Sequence, residues 1–190
     1  MGRKARLAVD GDGMVQGARY IPSPNCDERP AGAVIELLVI HNISLPAGEF
    51  GGPHIARLFT NSLDCSAHPS FENLRGLRVS AHFLIRRRGG LIQFVPCVRR
   101  AWHAGVSFWE GRTHCNDFSV GIELEGTDDR PFTASQYRTL GRLVRALAAA
   151  YPLVAAVGHS DIAPGRKTDP GPRFDWSRLR GALRARRSRV

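Results

Sequence analysis

No stretch of this sequence approaches the ~20 consecutive apolar residues that a membrane-spanning helix needs, so no membrane partner is expected. The amino terminus runs from Met1-Gly2-Arg3-Lys4 into Asp10, Gly11 and Asp12. It lacks the apolar run of roughly 7–15 residues that marks a signal peptide, and the expected compartment is the cytoplasm. Cysteine is scarce, and Cys26, Cys65, Cys97 and Cys115 lie far apart with no C-x-x-C pair. That spacing excludes a zinc ribbon or a dithiol redox motif and leaves free, buried thiols as the expectation. Lysine is scarcer still: of 27 basic residues only Lys4 and Lys167 are lysine, the rest being arginine. Internal repeats are missing as well.

What is present is the material of one globular unit. A chain of 190 residues can bury a full core without disulfides, and 43% hydrophobic residues is an ordinary share. The net charge of +10 could serve nucleic acid, an anionic substrate or solubility. The arginines are scattered except at Arg86-Arg87-Arg88 and along the tail from Arg178 to Arg189, so nucleic acid is not the expected partner. Residues 1–33 are polar and rich in glycine and proline and read as irregular. The run Val34-Ile35-Glu36-Leu37-Leu38-Val39-Ile40 reads as a buried strand ending at His41, and 42–53 as a loop. A short helix is expected over 54–60. Strands over 80–87 and 91–95 flank Gly89-Gly90 as a hairpin, and 118–124 is a further strand. Thr133 with Gln136 opens a helix as a capping box, Tyr137, Leu140, Val144, Leu147 and Tyr151 recur at helical spacing, and Pro152 ends it. A short strand over 154–157 leads to His159, 158–172 reads as a loop, and Asp175 caps a last helix with Trp176, Leu179 and Leu183 on its apolar face. The expected fold is a single α/β domain with a mixed central sheet flanked by helices.

Zinc hydrolases use three protein ligands and keep one position open. His41 and His159 stand where strands meet loops, and Asp169 lies in the proline-stiffened Lys167-Thr168-Asp169-Pro170. Together they would make a His/His/Asp site; separately each histidine could be a hydrogen-bonded structural residue and Asp169 a turn former. Glu123, a carboxylate among apolar strand residues, suits a general base. Glu125 shares its face by alternation, and spacing does not separate the two. Lys167, a lysine in an arginine-rich chain, could stabilise an oxyanion with a compact ammonium or be a plain surface charge. Trp102-His103-Ala104-Gly105 could line a sugar pocket or hold a core tryptophan. His82 reads as a satisfied structural histidine.

Read jointly, the stretches PSPNCDERP, LLVIHNISLPAGEFGG, LRVSAHFLIRR, RAWHAGVSFWEGR, CNDFSVGIELEGTD and GHSDIAPGRKTDPGPRFDW resemble the 1,6-anhydro-N-acetylmuramyl-L-alanine amidases, the AmpD type. These belong to a wider superfamily of peptidoglycan amidases and peptidoglycan recognition proteins. The match runs from Ile21 to Trp176, which divides the chain into an arm over 1–20, a zinc amidase domain over 21–180 and a basic tail over 181–190. The resemblance implies Zn2+ held by His41, His159 and Asp169, with Glu123 rather than Glu125 as the acid/base residue and Lys167 as the catalytic lysine. It implies substrate contacts from Asn42, Arg78 and Ala101, beside those expected of Trp102 and His103. His114 stands where the family commonly has an arginine contacting the stem peptide. The implied substrates are cytoplasmic 1,6-anhydro-N-acetylmuramyl peptides of cell-wall recycling, and the expected state is a monomer. A non-cleaving recognition module is the rival reading.

Overall fold

The computed structural model describes residues 6–179 and 181. In chain order its regular elements are β1 (Arg19–Tyr20), β2 (Cys26–Glu28), β3 (Leu37–Ile43), α1 (His54–Phe59), β4 (Phe83–Ile85), β5 (Leu91–Gln93), β6 (Arg99–Ala101), β7 (Phe108–Trp109), β8 (Arg112–Thr113), β9 (Ser119–Glu125), α2 (Ala134–Ala150), β10 (Ala155–Gly158) and α3 (His159–Ile162). Short 3-10 turns occupy Pro69–Leu74, Cys115–Asp117 and Trp176–Arg178.

Six strands make one mixed sheet in the order β1-β5-β4-β9-β3-β10. β4, β9, β3 and β10 run parallel, and the β4–β5 hairpin supplies the antiparallel pair. The central strands β3 and β9 are the most apolar because both faces are covered. On one face Leu38, Ile40, Val120 and Ile122 pack against Leu140, Val144 and Leu147 of α2. That helix begins as expected: Thr133 Oγ1 accepts from the Gln136 amide, and Gln136 Oε1 accepts from the Thr133 amide. On the other face Leu84 and Phe94 meet Ile55, Leu58 and Phe59 of α1, while Leu37 and Val39 meet Phe118 and Ile162. Alternation along β3 and β9 therefore turns His41 and Glu123 away from α2.

Several boundaries differ from expectation. β3 starts at Leu37, since Val34 lies outside the sheet at 47% exposure, and it continues past His41 because Asn42 and Ile43 stay paired with Leu124 and Glu125. The segment 158–172 is not all loop, as α3 opens at His159. The last helix is a 3-10 turn whose Asp175 side chain accepts from the Ser177 amide; Leu183 and most of the basic tail lie outside the described residues. The stretch expected to be irregular carries β1 and β2, and residues 6–18 are packed: Leu7 and Val15 are buried in the main core, and the Val15 amide donates to Gln93 Oε1 at 2.8 Å. All four cysteines are free, Cys97 and Cys115 buried, Cys26 and Cys65 partly exposed. Among the described residues no helix is long and apolar enough to cross a membrane.

Candidate active site

The parallel register of β3 and β9 sets His41 directly beside Glu123. β10 pairs with β3 and ends with Gly158 beside Ile40, so the next residue, His159, arrives at the same sheet end. Asp169 is drawn in by its own backbone, whose carbonyl accepts from the Ser160 amide at 2.9 Å. The result is a triangle. His41 Nδ1 lies 3.0 Å from His159 Nδ1 and 3.0 Å from Asp169 Oδ2, and His159 Nδ1 lies 3.2 Å from Asp169 Oδ2. Among the described residues it is the one cluster of three His, Cys, Asp or Glu side chains whose ligand atoms converge.

These residues fit zinc. Tetrahedral coordination at ordinary Zn–N and Zn–O lengths spaces ligand atoms about 3.3 Å apart, close to the observed edges. Outer hydrogen bonds leave the inner nitrogens free to ligate: His159 Nε2 lies 3.1 Å from the Ala104 carbonyl, and His41 Nε2 lies 2.9 Å from His103 Nδ1. Burial pushes His41 down to about 4. Burial would raise the Asp169 carboxyl, but the adjoining His159 and His41 rings outweigh it and hold the group well below the usual range. Neutral imidazole and ionised carboxylate are the donor forms that a metal requires.

Glu123 and Glu125 are separated here by their partners. Glu125 Oε1 accepts from Arg86 Nη1 and the Gly51 amide, each at 2.7 Å, and its Oε2 from the Arg87 amide at 3.0 Å. Glu123 is also buried, but its Oε2 has no hydrogen-bond partner. Burial raises the Glu123 carboxyl well above its ordinary value, Asp169 adds to the rise, and Lys167 opposes it. A buried, unpaired carboxyl beside a metal triangle has the features of a proton acceptor held ready for use. The Lys167 side chain is exposed at the mouth of the same cleft.

A family model described as N-acetylmuramoyl-L-alanine amidase matches residues 31–172. The chain belongs to this family. The amidase is 58% identical over 170 residues to the 1,6-anhydro-N-acetylmuramyl-L-alanine amidase AmpD of Escherichia coli, covering 88% of this chain and 93% of that protein. It superposes on a crystal structure of an AmpD selenomethionine derivative with a TM-score of 0.89 at 54% identity, over 92% of this chain and 98% of that one. A complex of AmiD from Escherichia coli with anhydro-N-acetylmuramic acid-L-Ala-D-gamma-Glu-L-Lys matches at TM-score 0.59 and 29% identity, over 93% of this chain and 65% of that chain. The expected family and the mixed-sheet α/β fold are both borne out.

The amidase gathers most of the candidate residues into one cleft of about 300 Å³. His41, Asn42, Trp102, His103, Glu123, His159, Lys167 and Asp169 all line it. Three do not line it. Ala101 is fully buried and pairs with Cys26 across β2 and β6. Arg78 is exposed on a neighbouring cleft with Asp64 and Arg75. His114 is exposed, in a left-handed conformation (φ 58°), before the 3-10 turn. Asn42 is already engaged, donating from Nδ2 to Asp128 Oδ1 at 2.6 Å. Trp102 is fixed by its indole N–H, which donates to Asp27 Oδ1 at 3.1 Å, and Asp27 is held in turn by Arg100. The sequence reading missed the apolar wall opposite, made by Leu45, Leu58, Leu74, Leu77 and Val79. These come from a loop, a helix and a 3-10 turn with no common period, so no pattern in the sequence announces them. His82 is structural, as expected: its Nδ1 accepts from the Gly121 amide, and its Nε2 lies 3.1 Å from the Arg99 carbonyl.

Proposed function

We propose that the chain is a zinc-dependent amidase that cleaves the bond between the lactyl carbonyl of (1,6-anhydro-)N-acetylmuramic acid and the nitrogen of L-alanine. Its substrates are cytoplasmic muropeptides released in cell-wall recycling, and it works as a monomer. His41, His159 and Asp169 would hold the zinc. When bound, the metal supplies Lewis acidity, polarising the amide carbonyl and acidifying water. Glu123 accepts the proton of the attacking water at Oε2 and returns it to the departing amine. Lys167 sets a compact positive charge where the carbonyl oxygen becomes an oxyanion. Trp102 and the Leu45, Leu58 and Leu77 wall keep bulk water from the reacting bond. Asn42, with its amide held by Asp128, has its carbonyl oxygen left to accept a hydrogen bond from the substrate.

One observation carries this reading over a non-cleaving recognition module: Glu123, buried beside the ligand triangle with an unpaired carboxyl oxygen. A module that only binds has no use for so costly a group. The test incubates purified protein with anhydro-muropeptides and weighs the products. Free stem peptide, lost on chelation and regained with zinc, is the expected outcome. Stoichiometric zinc without peptide release would establish the recognition module instead, and full cleavage by metal-stripped protein would remove the zinc.

A further inference from the structure

The two histidines of the triangle are held from behind by unlike partners. His159 Nε2 faces the Ala104 carbonyl. A carbonyl can only accept, so His159 must carry its proton on Nε2, and Nδ1 presents a lone pair. His41 Nε2 faces an imidazole nitrogen, His103 Nδ1, and an imidazole can accept or donate. The tautomer of His41 therefore depends on that of His103. His103 Nε2 lies 3.2 Å from Ser119 Oγ, and Ser119 is fully buried. For His41 Nδ1 to present a lone pair, His41 Nε2–H must donate to His103 Nδ1, and His103 Nε2–H to Ser119 Oγ.

The seat of the His103 ring is built by an omission. A Cβ on Gly121 would stand 2.4 Å from His103 Cγ and 2.7 Å from its Nδ1. Gly121 is inside β9, where glycine weakens a strand unless something approaches closely, and it lies between Ser119 and Glu123 on their face. The backbone of His103 is held as well: Asn116 Oδ1 accepts from the amides of His103 and Ala104. The ring then meets His41 edge to face, with centroids 5.0 Å apart and planes at 82°. Both His103 nitrogens are occupied, so the residue has no free ring nitrogen for substrate.

We infer that His103 is a positioning residue for the metal ligand His41, fixing its tautomer and ring plane through the Ser119–His103–His41 chain, with Gly121 as the notch that admits it. This rests on the zinc reading of His41, His159 and Asp169. The test measures zinc affinity of metal-stripped protein by competition with a chromophoric chelator, and the visible absorption of the cobalt-loaded form. His103→Leu should weaken zinc binding about 10–100-fold, the range for lost outer partners of metal-bound histidine, and alter the cobalt bands. His103→Asn places an amide oxygen near the Nδ1 position and should restore affinity to within about threefold of the parent. Gly121→Ala removes no polar group and should weaken zinc as the leucine variant does. It also carries the comparison if the leucine variant fails to fold. Variants of His103 and Gly121 with parental affinity and cobalt bands would overturn the positioning role while leaving the zinc site standing. A parent that binds neither metal would overturn both.

Discussion

At the scale of single residues, the structure separates two glutamates that alternation had left equivalent. Glu125 is consumed by Arg86 and two backbone amides, whereas Glu123 keeps an unpaired oxygen. Glu123→Gln should retain stoichiometric zinc and lose about 100–10,000-fold in turnover, the usual cost of a missing general base; metal analysis beside kcat checks it. The raised carboxyl also has a stability signature. The folded, metal-free protein keeps this proton where the unfolded chain has already lost it. Its contribution is fully present below the unfolded value and is lost as pH rises through the folded one. Denaturant melts of metal-stripped protein should therefore lose more stability than those of Glu123→Gln, which cannot titrate, as pH rises above the ordinary carboxyl range. Lys167→Arg should fold and bind zinc yet lose at least ~100-fold in turnover, because a planar fork spreads the charge that an oxyanion needs concentrated. Near-parental kcat would make Lys167 an ordinary cation. The metal-ligand candidates were legible in the sequence only jointly, through motifs that resemble the amidase family, since each of them alone also reads as a structural residue. The partner bonds that distinguish Glu123 from Glu125 were not, since they come from Gly51 and Arg86, elements remote in the chain.

At the scale of elements, the segment after β3 shows how a loop can be soft at one end and fixed at the other. Its glycines and prolines mark residues 42–60 for motion over the cleft. Yet Gly51 donates to Glu125, and the Gly52 carbonyl accepts from Arg86 at 2.7 Å, so mobility is expected to concentrate in 44–50. Hydrogen exchange there should slow when product binds, while the Gly51 amide stays protected throughout. Breaking the buried Glu125–Arg86 pair by Glu125→Ala should cost about 3 kcal/mol, the low end for such pairs because Arg86 keeps some solvent contact. It should also speed exchange at 48–52 without removing zinc. Unchanged exchange would show that the pair does not anchor the loop. The capping box and the helical period of α2 were readable from sequence because their signals lie within a few residues. The extension of β3 beyond His41 was not, because it is decided by pairing with β9, about 80 residues downstream.

At the scale of the whole molecule, the described part of the amino-terminal arm, from residue 6, packs onto the folded unit. Leu7 and Val15 are buried in the main core, and Gln93 spends its side chain on Val15 and on the Gly13 carbonyl. Polar composition hid this, since two apolar residues at irregular spacing make no pattern. Deleting residues 1–18 should lower stability by about 3–6 kcal/mol, from two side chains at about 1.5–3 kcal/mol each, with the denaturation midpoint as the measure. A midpoint like the parent's would show that residues 1–18 add nothing to the stability of the domain.

The shortage of lysine has a practical side at the bench. Amine-directed reagents scatter over most proteins, but here the lysines in the sequence are Lys4 and Lys167, and Lys167 lines the cleft. Acylation by an activated ester should therefore behave as affinity labelling does, abolishing turnover in step with modification of one residue and slowing when product fills the cleft. Coupling to an amine-reactive support would tether many molecules by the mouth of the active site and silence them, so immobilised assays of this protein need thiol chemistry or a tag.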